Sequence, residues 1–176
     1  MGNEWTADPS EVDDFVARWR DAGGAENANF QPFVGHLTRL LGVPQPDGAR
    51  PENADNNYVF ERAVRHVFED GKEVTRRIDL YKRDCFIMEG KQSAPAEIEA
   101  ARQLKLIEEG EDQGRKAGHA KRDTRAWDRV MRAARNQAVG YTRDLPASHA
   151  YPPFVLVVDV GHVIDVYADF SGQGRN

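Results

Sequence analysis

One cysteine, Cys85, is the entire thiol content of this 176-residue chain. An internal disulfide is excluded, and so is a cysteine-built zinc site. Cys85 reads as a small buried hydrophobe. Long apolar runs are missing as well. No stretch approaches the roughly 20 residues a membrane helix needs, and Met1-Gly2-Asn3-Glu4-Trp5 has neither the basic region nor the apolar core of an export signal. The expected compartment is the cytoplasm, with no membrane partner. Positive charge is also short. The net charge is −5, which counts against a general basic surface for gripping nucleic acid. Lysine is scarce, at 6 against 18 arginines. The cations present therefore favour planar, two-pronged contacts over diffuse charge. The five histidines are scattered without metal-ligand spacing.

What the chain does have is 40% hydrophobic and 30% charged residues, the makeup of an ordinary folded domain. At this length one domain is expected. Ser10 is placed to cap a helix through Trp19, stopped by Gly23-Gly24. Asn27 or Asn29 is placed to cap a second, in which Phe30, Phe33, Val34, Leu37, Leu40 and Leu41 recur at helical spacing and Gly42 ends the run. Residues 43–56 carry three prolines and two asparagines and read as a loop. Three strand-like runs follow: Tyr58 to Phe68 with alternate residues on one face, Val74 to Tyr81, and Asp84 to Gln92. Glu69-Asp70-Gly71-Lys72 is the hairpin turn between the first two, and Lys82-Arg83 the tight connection to the third. Residues 94–121 are polar, helical in their first part and then a mobile insertion. Asp123 is placed to cap a long helix to about Leu145. Trp127, Val130, Met131, Ala134, Ala138 and Tyr141 form its buried stripe, with Arg122, Arg125, Arg129, Arg132 and Arg135 on the opposite arc. A final hairpin turns at Gly161, between Phe154–Asp159 and Val163–Tyr167. The continuously apolar first run of that hairpin suits a central strand. The fold class is α/β: a sandwich with a mixed central sheet of about five strands flanked by helices.

The chemistry concentrates at two places that a three-stranded meander brings together. Asp79 lies on the second strand. Glu89-Gly90-Lys91 closes the third, directly after the apolar Cys85-Phe86-Ile87-Met88. Carboxylates are the ligands a hard divalent cation prefers. Glu89 and Lys91 share a face because strand side chains alternate. A metal plus an ammonium group suits phosphodiester hydrolysis, where negative charge builds on phosphate oxygens. A second acidic-x-Lys triplet, Asp70-Gly71-Lys72, falls in the hairpin turn and points into water. The arginine arc can meet backbone phosphates or serve as a solvated helix face.

With these residues assembled, the chain resembles the PD-(D/E)XK nuclease superfamily. Gln137-Ala138-Val139-Gly140-Tyr141 matches its Gln-x-x-x-Tyr signature, two residues one helical turn apart. The proline of the superfamily's name is replaced by Ile78. The nearer resemblance is to the N-terminal nuclease region of MmeI-type restriction-modification enzymes. It rests on Phe15…Trp19, Asn56-Tyr58-Val59-Phe60-Glu61, Arg77-Ile78-Asp79, Phe86 to Lys91, and Val163 to Gly172. That resemblance implies a restriction-endonuclease-like sandwich and a Mg²⁺-dependent DNA endonuclease domain, with Mn²⁺ as a substitute ion. It implies Asp79, Glu89 and the Gly90 carbonyl as metal ligands and Lys91 as the charge-stabilising residue. Glu61, Gln137 and Tyr141 take supporting roles, and Arg122, Arg125, Arg129 and Arg132 bind DNA. It further implies that residues 1–176 are the N-terminal part of a longer chain, whose methyltransferase and target-recognition domains act on double-stranded DNA with S-adenosylmethionine. No methyltransferase motif occurs in these residues. The alternative is a non-catalytic DNA-contacting or assembly module with an inactive site.

Overall fold

The computed structural model describes residues 7–20, 22, 26–91 and 122–169, leaving aside the side chains of residues 26 and 27. The expected helix and mobile insertion of residues 94–121 lie outside the described residues, as do Trp5 and the stop at Gly23-Gly24. The described residues contain α1 (Pro9–Arg20), α2 (Glu26–Leu40), a 3₁₀ turn (Asn53–Asp55), β1 (Tyr58–Val67), β2 (Glu73–Lys82), β3 (Phe86–Lys91), α3 (Arg125–Thr142), β4 (Phe154–Asp159) and β5 (Val163–Ala168). They fall into two compact units. One draws on Met1–Val43, Lys91–Arg132 and Asp159–Val163, the other on Pro44–Gly90, Ala133–Val158 and Ile164–Asn176.

The five strands form one sheet in the order β1-β2-β3-β4-β5. β1 pairs antiparallel with β2, and β2 with β3. The Phe154 amide donates to the Cys85 carbonyl at 3.3 Å and the Val160 amide to the Lys91 carbonyl at 2.9 Å. Partners advance together along both strands, so β3 and β4 run parallel and the sheet is mixed, as its apolar strands require. Val64, Ile78, Tyr81, Ile87 and Val155 pack with Ala138 and Tyr141 of α3 into one core. Each such aliphatic side chain contributes about 1.5–3 kcal/mol by leaving water. Of the helix stripe read from the sequence, Met131, Ala134, Ala138 and Tyr141 are each less than 5% exposed, while Trp127 and Val130 are half-buried.

Several boundaries differ from the sequence reading. The α1 cap is Asp8, not Ser10. The Asp8 Oδ1 accepts from the Ser10 amide and hydroxyl, both at 2.9 Å, and Pro9 takes the first helical position, where no amide is needed. α2 starts before both asparagines and accommodates Pro32 in its interior. In α3 the Trp127 amide donates to the Thr124 Oγ1 at 3.3 Å, so Thr124 supplies the cap; Asp123 sits in a left-handed conformation at φ 59°. The turn before β3 is residues 83–85, and Cys85 is half-buried rather than buried. The 69–72 turn is as expected, with Gly71 at φ 80° and the Lys72 amide donating to the Asp70 Oδ1 at 3.0 Å.

In the first unit Trp19 packs edge-on against Phe33, ring centroids 5.4 Å apart, and its Nε1 donates to the His36 Nδ1 at 3.0 Å. In the second, buried Tyr81 is hydrogen-bonded to the His149 Nδ1 at 2.7 Å. Burial pushes the Tyr81 phenol up to about 12, despite the Arg62 guanidinium lying 4.8 Å over its ring. The Tyr81 phenol therefore keeps its proton in this contact with the His149 ring. Burial, then Arg83 and Arg62, pull the His149 pKa below its usual range, while Asp84 opposes them. The unfolded chain then binds a proton at His149 more readily than the folded one. Its contribution to stability is complete above about pH 6.5 and is lost as pH falls through the lower folded value. Urea midpoints measured between pH 7.5 and 5 should fall with pH, and His149→Gln should flatten that fall. An unchanged slope in the variant would remove His149 as the cause.

Candidate active site

β1 and β2 pair so that Phe60 faces Leu80 and Arg62 faces Ile78. Glu61 therefore falls opposite Asp79. On the other side Leu80 pairs with Met88, which sets Asp79 level with Glu89. Extending the two registers by one position puts Glu61, Asp79 and Glu89 at neighbouring positions on three strands. The second strand turns its carboxylate toward the third: the Gly90 amide donates to the Asp79 Oδ2 at 2.7 Å. Glu89 is only 1% exposed, an uncommon place for a carboxylate. Asp79 is half-buried and Glu61 exposed.

Glu61 has a backbone φ of 53°, a left-handed conformation that costs a non-glycine residue about 1–2 kcal/mol. Its effect is visible in the burial pattern. Before the kink Val59 is buried, and after it Arg62 and Val64 are, so the buried parity switches at Glu61. The simple alternation expected over Tyr58–Phe68 is broken there. The Arg77 Nη1 donates to the Glu61 carbonyl at 3.2 Å. Partial burial raises the Glu61 pKa and the Asp79 carboxylate raises it further, while Arg77 lowers it. Glu61 and Asp79 thus feel each other's charge.

On α3 the Gln137 Nε2 donates to the Tyr141 hydroxyl at 2.7 Å, so the two motif residues are joined. Burial is the main cause that raises the Tyr141 pKa, with Glu89 and Asp79 adding to it. The phenol is neutral and lies within electrostatic reach of both carboxylates.

Lys91 is the last residue of β3. It is half-buried and belongs to the first unit. Among the described residues, no three histidine, cysteine, aspartate or glutamate side chains converge closely enough to enclose an ion.

The arginine arc is divided. Arg125, Arg129 and Arg132 are exposed on α3. Arg122 is occupied with the protein itself: its guanidinium donates to the carbonyls of Arg20 at 3.2 Å and Val160 at 3.0 Å, 3.8 Å from the buried Asp159 carboxylate. The Arg135 guanidinium lies over the Tyr167 ring at 4.7 Å. Arg77 was not among the residues the sequence reading selected. The available signal was its position two residues before Asp79 on a strand, which places both on one face.

The described residues form an α/β fold whose mixed five-stranded sheet carries Glu61 on β1, Asp79 on β2 and Glu89 on β3. Residues 7–173 match the family described as MmeI, N-terminal domain, and the chain belongs to that family. Membership points to a module of a DNA-acting restriction-modification enzyme. No curated protein and no solved structure matches the chain. Among the described residues no helix is long and apolar enough to cross a membrane.

Proposed function

We propose that this domain is the Mg²⁺-dependent DNA endonuclease module of its restriction-modification protein, with a PD-(D/E)XK-type site. The observation that supports this most directly is the hydrogen bond from the Gly90 amide to Asp79. It draws the Asp79 carboxylate onto the backbone of Glu89-Gly90-Lys91, the motif that proposes the chemistry. Two carboxylates and a carbonyl form an all-oxygen donor set that suits Mg²⁺, which ordinarily takes one or two protein carboxylates and fills its octahedron with water and phosphate oxygens. Asp79, Glu89 and the Gly90 carbonyl would hold the ion, and Mn²⁺ would substitute.

When bound, Mg²⁺ supplies Lewis acidity toward water and the phosphodiester. The remaining roles belong to the chain. Lys91 carries positive charge on the same strand face as Glu89, to meet negative charge building on the phosphate. Tyr141 stays a neutral donor beside the carboxylates, its hydroxyl fixed by Gln137. Glu61 adds a further acid next to Asp79. Arg125, Arg129 and Arg132 are the helix cations open to DNA phosphates. S-adenosylmethionine would belong to a methyltransferase part of a longer protein, together with base recognition.

Calorimetric titration with Mn²⁺ tests the reading. The wild-type chain should bind one ion, and Glu89→Gln should weaken binding about tenfold or more, as loss of a ligand does. No binding by the wild type, or equal binding by both, would favour a non-catalytic DNA-contacting module instead.

A further inference from the structure

The β1–β2 hairpin carries more arginines than its own acids engage. Arg65 is paired with Glu73. Arg76 lies 3.8 Å from Asp144 and over the Phe68 ring. Arg62 is 1% exposed and donates to the carbonyls of Asn53 and Asn56 beneath the hairpin. Lys72 sits at the hairpin tip, and Lys82 lies over the Tyr58 ring at the far end. Arg77 differs from the hairpin's other three arginines. It is exposed, and among the described residues no carboxylate lies within 4 Å of it. Its Nη1 donates to the carbonyl of Glu61, the residue held at φ 53°. That conformation is unfavourable for glutamate, and strain of this kind persists where the surroundings impose it, commonly at functional sites.

Among the described residues, Arg77 therefore has one of its five N–H donors engaged. It projects from the same strand face as Asp79, two residues away. A guanidinium held at one edge is pre-organised, so less side-chain freedom is lost when the remaining donors engage a planar or tetrahedral oxyanion.

We propose that Arg77 is a phosphate-binding residue for duplex DNA, contacting a backbone phosphodiester next to the one presented to Asp79 and Glu89, and that the kinked Glu61 carbonyl is the device that aims it. This rests on the nuclease reading only for which phosphate is nearby; the contact itself requires duplex binding alone. Its place beside a row of acids gives it a second effect. It offsets their repulsion of the DNA backbone where the strand must come closest.

The test is duplex binding by the chain in Ca²⁺, followed by fluorescence anisotropy at several salt concentrations. Arg77→Gln keeps a donor for the Glu61 carbonyl and removes the charge. It should weaken binding about three- to tenfold at low salt and reduce the slope of log K against log salt by about one, the loss of one phosphate contact. Arg77→Lys should keep the slope. Unchanged affinity and slope in Arg77→Gln would overturn the proposal, as would an absence of duplex binding by the wild type. Thermal melts accompany each variant. If Arg77→Gln does not fold, Arg77→Lys decides: a folded lysine variant with a reduced slope means the position is structural. A wild type that binds duplex but never cuts it with Mg²⁺, while Arg77→Gln still loses slope, would remove the nuclease reading and leave the phosphate contact standing.

Discussion

Asp79→Asn is expected to lower Mg²⁺-dependent DNA cleavage by about a thousandfold or more while leaving the fold in place. The size follows from removing a charged group that acts at the reacting centre, where single deletions commonly cost two to four powers of ten. Asparagine is the informative substitute because Asp79 has two functions. One is the proposed metal ligation, which needs the negative charge. The other is to accept the hydrogen bond of the buried Gly90 amide, which an amide oxygen can also do. Alanine would strand that N–H, at about 1–3 kcal/mol, and mix a stability defect into the activity loss. The measurement is plasmid cleavage by the restriction-modification protein containing this domain, with a thermal melt of the same preparation. Substantial cleavage by a folded Asp79→Asn variant would end the catalytic assignment of this residue.

The fold was largely legible because its elements obey simple periods. The apolar run Phe154–Asp159 announced a central strand, and Gly71 and Gly161 marked the two hairpin turns. The α3 stripe from Trp127 to Tyr141 repeats at helical spacing, and from Met131 onward it is buried at that spacing. The element ends were less legible. Asp8 outcompetes Ser10 as a cap because Pro9 removes the need for one amide, and Thr124 caps α3 one residue after Asp123. In both places two neighbouring capping residues were available, and local spacing does not choose between them.

The site divides the same way. A meander of three strands is enough to bring Asp79 to Glu89-Gly90, since antiparallel register does the work. The kink at Glu61 is invisible in the sequence, because glutamate carries no preference for a positive φ. Arg122 illustrates the limit of a helical wheel. It falls on the polar arc, yet it precedes α3 and turns inward to the carbonyls of Arg20 and Val160. A wheel presumes a helix, and Arg122 lies outside one.

Gly161→Ala should cost more stability than its position in a surface hairpin suggests, about 3 kcal/mol. The sequence asks for glycine here because the turn between β4 and β5 needs a left-handed residue, and φ is 78°. That alone costs an alanine about 1–2 kcal/mol. The second cause is contact. A Cβ at Gly161 would stand 2.7 Å from the Trp19 carbonyl carbon and closer still to its oxygen. That oxygen is fixed, accepting from the Ala22 amide at 3.0 Å at the end of α1, and Trp19 itself is 5% exposed. Neither partner can yield without disturbing the other, and forced overpacking adds about 1–3 kcal/mol. For a domain of this size the sum lowers Tm by about 6–12 °C. Gly71→Ala is the internal control. Its φ is 80°, but no atom lies within 4 Å of the added methyl, so only the conformational cost applies, with a fall of a few degrees. Calorimetric melts of the two variants beside the wild type separate the causes. Equal shifts would mean that the turn conformation accounts for everything and that the approach of Trp19 to Gly161 is slack.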